Sequence, residues 1–203
     1  QIVEFQTIVN VQAGAENYVI HDKMTEGLTF VHDPANSRGV YKIEHIKPGT
    51  DGSHVVDTSM YSVETGTGTT DGCTFEIVFS AAFHENLKAN DKIVVHYNAM
   101  LNRNAVIAGD NANESWLEYG EENTTTTDQT KTHTYGFDLV KTDSQNKLID
   151  GAEFRIYDAA TGGNEIAVVP LMESDDLTPV LDENGNPVYR RARADENGVS
   201  IVV

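Results

Sequence analysis

The sequence predicts an all-β protein, built as β-sandwich domains in tandem. Three observations predict it. Short β-branched and aromatic runs recur along the 203 residues, separated by Gly, Asn, Asp and Pro, the punctuation of strands and turns. Within several runs the apolar residues alternate, as a strand with one buried face requires. The only helix-like piece, "SAAFHENLKAN", is about three turns long at most.

The runs follow in order. "IVEFQTIVNV" opens the chain and "GAEN" breaks it before "YVIHD". "TFEIVFS" comes after the turn-like "TTDG", then "KIVVHYNAML", "NAVIAG" and "SWLEYG". Such spacing suits a single sandwich. Residues 123–135, "NTTTTDQTKTHTY", are rich in Thr and poor in apolar side chains; a linker and a last edge strand both fit. The strand pattern restarts with "YGFDLVKTD", so a boundary is expected near 131, giving domains 1–131 and 132–203. The second domain shows three or four strands and a long polar insertion, "MESDDLTPVLDENGNPVYRRARADENG". Half a sandwich exposes apolar faces, so this domain is expected to be incomplete, with more chain after Val203. The start directly in strand-like residues also reads as a cut end.

Composition excludes several functions. A formal net charge of −18 argues against nucleic acid and against an anionic membrane surface. It describes a solvated, self-repelling surface. Cys73 is the one cysteine, which excludes an intrachain disulfide framework and a multi-cysteine metal site. Placed after a "DG" turn, it reads as a small half-buried residue. The seven histidines form no H-x-x-x-H or H-E-x-x-H pair, so satisfied or solvated imidazoles are the favoured reading. "DENGNPVYRRAR" begins like a calcium loop but lacks its closing acid. No nucleophile elbow, Walker or dinucleotide fingerprint occurs. Asn113 and Asn123 head formal glycosylation triplets, which arise often by chance. No apolar run has the length of a membrane span. No enzyme turnover, no cofactor and no metal are expected.

Three polar residues sit on apolar faces. Lys141 shares strand parity with Phe137 and Leu139. Asp22 shares it with Tyr18 and Ile20, and Asn113 with Ser115, Leu117 and Tyr119. For any one of them alone, a polar strand end is the simpler explanation. A buried ammonium is costly unless it is paired or neutralised.

"FDLVKTDSQNKLIDGAEFRIYD" resembles the opening of a collagen-adhesin B-type domain of Gram-positive surface proteins: an apolar strand, Lys-x-Asp, a polar turn, Leu-x-Gly-Ala, and a strand ending in Tyr-Asp. The resemblance makes Lys141 the donor of an isopeptide bond to an Asn or Asp on the last strand. No acceptor or helper glutamate is recognised after Asp158. Residues 1–130 are similar to the middle domain of sortase-assembled major pilins, through "NYVIHDKMTEGLTF", "DGCTFEIVFSAAFHENLKANDKIVVHYNAMLNRNAVI" and "NANESWLEYGEEN". In related A-type domains a lysine on an early strand bonds to an Asn, with an Asp as helper. The resemblance makes Asp22 the helper acid and Asn113 the acceptor. No lysine precedes Lys23, and Lys23 points away from the Asp22 face.

The chemistry this implies is consistent with physics. An apolar surround disfavours the ammonium and leaves a neutral amine. It also raises the carboxyl pKa, so a protonated acid can polarise the amide and shuttle protons.

The resemblance thus implies two tandem immunoglobulin-like β-sandwich domains, the second incomplete, from the shaft subunit of a cell-wall-anchored, extracellular pilus. Its partners are other pilin subunits joined by sortase, with host or matrix ligands besides. A stalk or ligand-binding region of a monomeric cell-wall-anchored adhesin is the alternative. A carbohydrate-binding β-sandwich of a secreted glycosidase is the alternative from another class. Trp116, the lone Trp, alternates away from the Asn113 face and would be its platform.

Overall fold

The computed structural model describes residues 1–14, 16–49, 52–102, 104–105, 109–121, 123–172, 177–182, 184–192 and 196–202. It is all-β. Two compact units follow one another along the chain, Gln1–Gly136 and Phe137–Val203. The division falls after Gly136 rather than near 131, because the Thr-rich segment still pairs with the first unit.

The first unit holds β1 (Ile2–Asn10), β2 (Val19–Met24), β3 (Leu28–Thr29), β4 (Val40–Ile46), β5 (Ser53–Val55), β6 (Tyr61–Thr65), β7 (Phe75–Phe79), β8 (Lys92–Leu101), β9 (Asp110–Tyr119), β10 (Asn123–Thr124) and β11 (Asp128–His133). One sheet runs β1-β8-β4-β5, with β3 also against β8; the other runs β10-β9-β2-β7-β6, with β11 also against β9. The first strand and the ninth therefore lie in different sheets. The β11 pairing settles the reading of residues 123–135 as an edge strand, since Thr130 stands opposite Asn113. Part of "NAVIAG", residues 106–108, lies outside the described residues.

Alternation builds the core. On β1, Phe5 and Val9 are buried while Glu4, Gln6 and Asn10 are exposed. Tyr18 and Ile20 from the β2 side, Phe75, Ile77 and Phe79 from β7, and Ile93, Val95, Tyr97 and Ala99 from β8 complete one cluster. Rings knit the sheets together: Tyr97 of β8 stacks on Phe5 at 5.4 Å and meets Phe75 of β7 edge-on at 5.3 Å. The expected helix shrinks to four residues, α1 (Ala81–His84). Ser80 caps it, accepting from the Phe83 amide at 3.2 Å. Phe83 is its buried residue, so little apolar surface holds a longer helix in place.

The second unit holds β12 (Glu153–Phe154), β13 (Ile156–Tyr157), β14 (Glu165–Ile166), β15 (Val168–Pro170), β16 (Tyr189–Arg191) and β17 (Ile201–Val202). They pair two by two: β12 with β17, β13 with β14, β15 with β16. Among the described residues of this unit, only the apolar side chains of Val168 and Ile201 are buried, while Phe137 is 69% exposed. Residues 137–141 form no strand, contrary to the alternation read there. The pattern is present, but no described strand pairs with it.

Candidate functional site

Asp22 and Asn113 meet inside the first unit. Asp22, on β2, stands opposite Phe75 of β7 and Ser115 of β9. Asn113, on β9, stands opposite Met24. Both side chains point into the sandwich, as parity requires, and both are buried, 1% and 3% exposed. The Asn113 Nδ2 donates to Asp22 Oδ2 at 2.9 Å.

A third residue, Tyr97, reaches them from the other sheet. Its hydroxyl donates to Asp22 Oδ2 at 2.8 Å and accepts from Asn113 Nδ2 at 2.9 Å. Thr7 of β1 touches the same hydroxyl at 3.1 Å. Sequence reasoning passes over both. In "KIVVHYNAML" Tyr97 shares parity with Ile93, Val95 and Ala99, so it counts as one more apolar residue. Thr7 likewise sits between Phe5 and Val9. The overlooked signal is a hydroxyl on each of two facing apolar stripes.

Burial pushes the Asp22 carboxyl up to about 7, against the pull of its hydrogen bonds from Asn113 and Tyr97. Burial raises the Tyr97 phenol too, and the Asp22 charge adds to it. Two buried oxygens, Asp22 Oδ1 and Asn113 Oδ1, have no hydrogen-bond partner among the described residues. Such groups cost about 1–3 kcal/mol each. The pair is thus a carboxylic acid that is half protonated near neutrality, in contact with a primary amide in an apolar shell.

Asn113 and Tyr97 line a groove of about 800 Å³ between β1 of one sheet and β9 and β11 of the other, and Asp22 lies behind them. Phe5, Thr7, Val9, Asn113, Leu117 and Thr130 are among its lining residues, and among the described residues no lysine is. Lys23 is exposed on the opposite face of β2. In the second unit, Lys141 is exposed and the expected core face beside it is not formed. Its backbone carbonyl accepts from the Ile149 amide at 2.8 Å.

Trp116 is half-buried, because it stacks on His21 at 5.2 Å. Cys73 is buried; burial and the nearby Asp71 push its thiol up to about 12. That state makes it unreactive as a nucleophile.

No protein-family model matches the chain, and no curated protein matches it. Solved structures do. A 35 kDa C-terminal fragment of the major pilin GBS80 of Streptococcus agalactiae matches with a TM-score of 0.61 at 19% identity, over 100% of this chain and 72% of that one. The fold is pilin-like. The full-length major pilin SpaD of Corynebacterium diphtheriae matches with a TM-score of 0.59 at 14% identity, over 99% of this chain and 45% of that one. The full-length major pilin RrgB of Streptococcus pneumoniae matches with a TM-score of 0.54 at 11% identity, over 91% and 46%. The chain thus spans about half the length of the two full-length pilins. At these identities the pilin-like fold is what is shared, and function is argued from the site.

Proposed function

We propose that the chain is part of the shaft subunit of a Gram-positive surface pilus, with its first domain equipped for isopeptide formation at Asn113. The buried contact between Asp22 and Asn113 carries this reading. Two polar side chains far apart in sequence meet in an apolar interior, with unpaired oxygens that a purely structural pair would have satisfied. In the reaction a neutral lysine amine attacks Asn113 Cγ. The amide in its flipped orientation presents Oδ1 to the protonated Asp22 and to the Tyr97 hydroxyl, which polarise the carbonyl. Asp22 passes its proton to the departing amide nitrogen and takes up the proton that the attacking amine sheds, so it ends as it began. One C–N bond forms, one breaks, and ammonia leaves. The groove between β1 and β9 is the approach for the amine. Contact in a packed interior supplies the entropic part of the barrier.

Lys141 has the corresponding donor role in the second domain. The chain turns over no substrate. Sortase joins it to other subunits, and it acts as an extracellular, wall-anchored support for adhesion.

The test uses the native protein taken from the cell surface. Peptide mapping is expected to recover Asn113 linked to a lysine-bearing peptide, with Asp22→Ala abolishing the link. Boiled surface extracts are expected to show a ladder of multimers. An unlinked Asn113 peptide overturns the site reading. A single band in place of the ladder leaves a monomeric adhesin stalk. Saturable glycan binding through Trp116 would favour the carbohydrate-binding module.

A further inference from the structure

On the outer face of the β2-β7-β9 sheet, where alternation anticipates solvent, lies a buried cluster. His21 of β2 stands opposite Glu76 of β7 and Trp116 of β9. His21 and Glu76 are 2% and 1% exposed. The loop between β6 and β7 covers them and contributes Asp71 and Cys73.

We propose that His21 Nδ1, Asp71 Oδ2, Cys73 Sγ and Glu76 Oε1 form a binding site for a divalent transition metal, with Zn²⁺ the best-fitting ion. The four atoms lie within 4.8 Å of one another. His21 Nδ1 is 3.2 Å from Asp71 Oδ2 and 3.4 Å from Glu76 Oε1. Cys73 Sγ is 4.0 Å from His21 Nδ1 and 3.8 Å from Glu76 Oε1. A tetrahedral zinc with bonds of about 2.0–2.3 Å has ligand-to-ligand edges of roughly 3.3–3.8 Å. These four separations sit at or close to those edges, and the remaining two, from Asp71 Oδ2 to Cys73 Sγ and to Glu76 Oε1, lie within 4.8 Å, so the ion enters once the side chains draw in by up to about 1 Å. One nitrogen, one sulfur and two carboxylate oxygens suit zinc rather than calcium or magnesium, which want oxygen alone.

The surroundings are those of a metal centre. The far side of the imidazole, Nε2, lies 3.4 Å from Glu118 Oε2 and makes no hydrogen bond among the described residues; a small turn of that carboxylate would let it orient a ligating ring. Trp116 stacks flat on the same ring, 6° from parallel. Asp71 Oδ1 accepts from the Cys73 amide at 2.9 Å, which leaves Oδ2 turned to His21. Glu76 Oε1 accepts from the Thr70 amide and hydroxyl at 2.6 and 2.7 Å. The Cys73 thiol donates to the Phe75 carbonyl at 3.2 Å, a weak bond that it gives up on becoming a ligand. Binding converts the thiol to thiolate and releases its proton. The ion would pin the β6–β7 loop to the sheet.

Cobalt(II) tests this on the chelator-treated full chain. Cys73 is the sole cysteine, so a near-ultraviolet thiolate-to-cobalt band reports this site and no other. One equivalent of Co²⁺ is expected to produce the band together with visible bands of tetrahedral intensity, and Zn²⁺ to displace both. Cys73→Ser is expected to lose the near-ultraviolet band. Glu118→Gln, which spares all four ligands, is expected to weaken Zn²⁺ binding at least tenfold. No thiolate band in the folded wild-type chain overturns the proposal. Zinc affinity unchanged in both His21→Ala and Cys73→Ser, each checked as folded by circular dichroism, overturns it as well.

Discussion

The Asn113 amide donates to Asp22 across 91 residues of sequence, at 2.9 Å. The acceptor is an acid whose burial lifts it to about 7.

That shift sets a pH dependence. The folded carboxyl holds its proton between the ordinary carboxyl value of 3.8 and about 7, while the unfolded one has lost it. The folded state therefore binds more protons, and this group's contribution to stability falls as pH rises across that window. Asp22→Asn removes the titration. Its stability relative to wild type is expected to improve by roughly 4 kcal/mol from pH 4 to pH 8. Urea melts at both pH values measure this; parallel stability curves for the two proteins would refute it.

Tyr97→Phe keeps the ring stacked on Phe5 and removes the hydroxyl shared by Asp22, Asn113 and Thr7. A loss of about 1–3 kcal/mol is expected. Thermal melts near pH 5 read this loss with Asp22 largely protonated. An unchanged melting temperature there would mean that the hydroxyl is dispensable to the pair.

Thr7 stands where a side chain of β1 comes within reach of the pair. Thr7→Lys is expected to place an amine in the groove and to produce a fraction of protein lighter by one ammonia. Asp22→Ala in the same chain is expected to prevent it. By analogy with a disulfide closing a loop of about a hundred residues, the linked form gains roughly 4–5 kcal/mol. Intact mass spectrometry decides, and a folded variant of full mass would show that the groove does not deliver an amine to Asn113.

Lys141→Ala in residues 1–203 removes only an exposed side chain, so stability is expected to change by less than about 0.5 kcal/mol. In the native protein taken from the cell surface the same change is expected to abolish one ammonia deficit and to lower the melting temperature clearly. An ammonia deficit that survives the substitution would assign the donor role to another lysine.

Much of the first unit was legible from alternation alone. β1, β2, β7 and β8 fall where their runs are, and Asp22 and Asn113 lie on the faces that parity gave them. β4, "VYKIEHI", was missed because a register shift between Val40 and Lys42 breaks its alternation, so that Val40 and Ile43 are both buried. The His21–Cys73 cluster escaped because period-2 logic assigns His21, Glu76 and Trp116 to solvent. It takes the β6–β7 loop folding over that face to bury them, and no local pattern encodes that cover. Lys141 shows the converse. Its pattern with Phe137 and Leu139 is a strand pattern, yet a strand exists only when another edge accepts its hydrogen bonds.

The placement of β1 and β9 in different sheets has a consequence for proteolysis. Nothing in the backbone ladders ties residue 7 to residue 113, so the two layers are held by side chains. A single cut between these positions frees two fragments once denaturant is added. A bond from position 7 to Asn113 would close the intervening chain into a ring. The same cut would then open the ring without releasing either piece, and the nicked protein would migrate as one species on a denaturing gel.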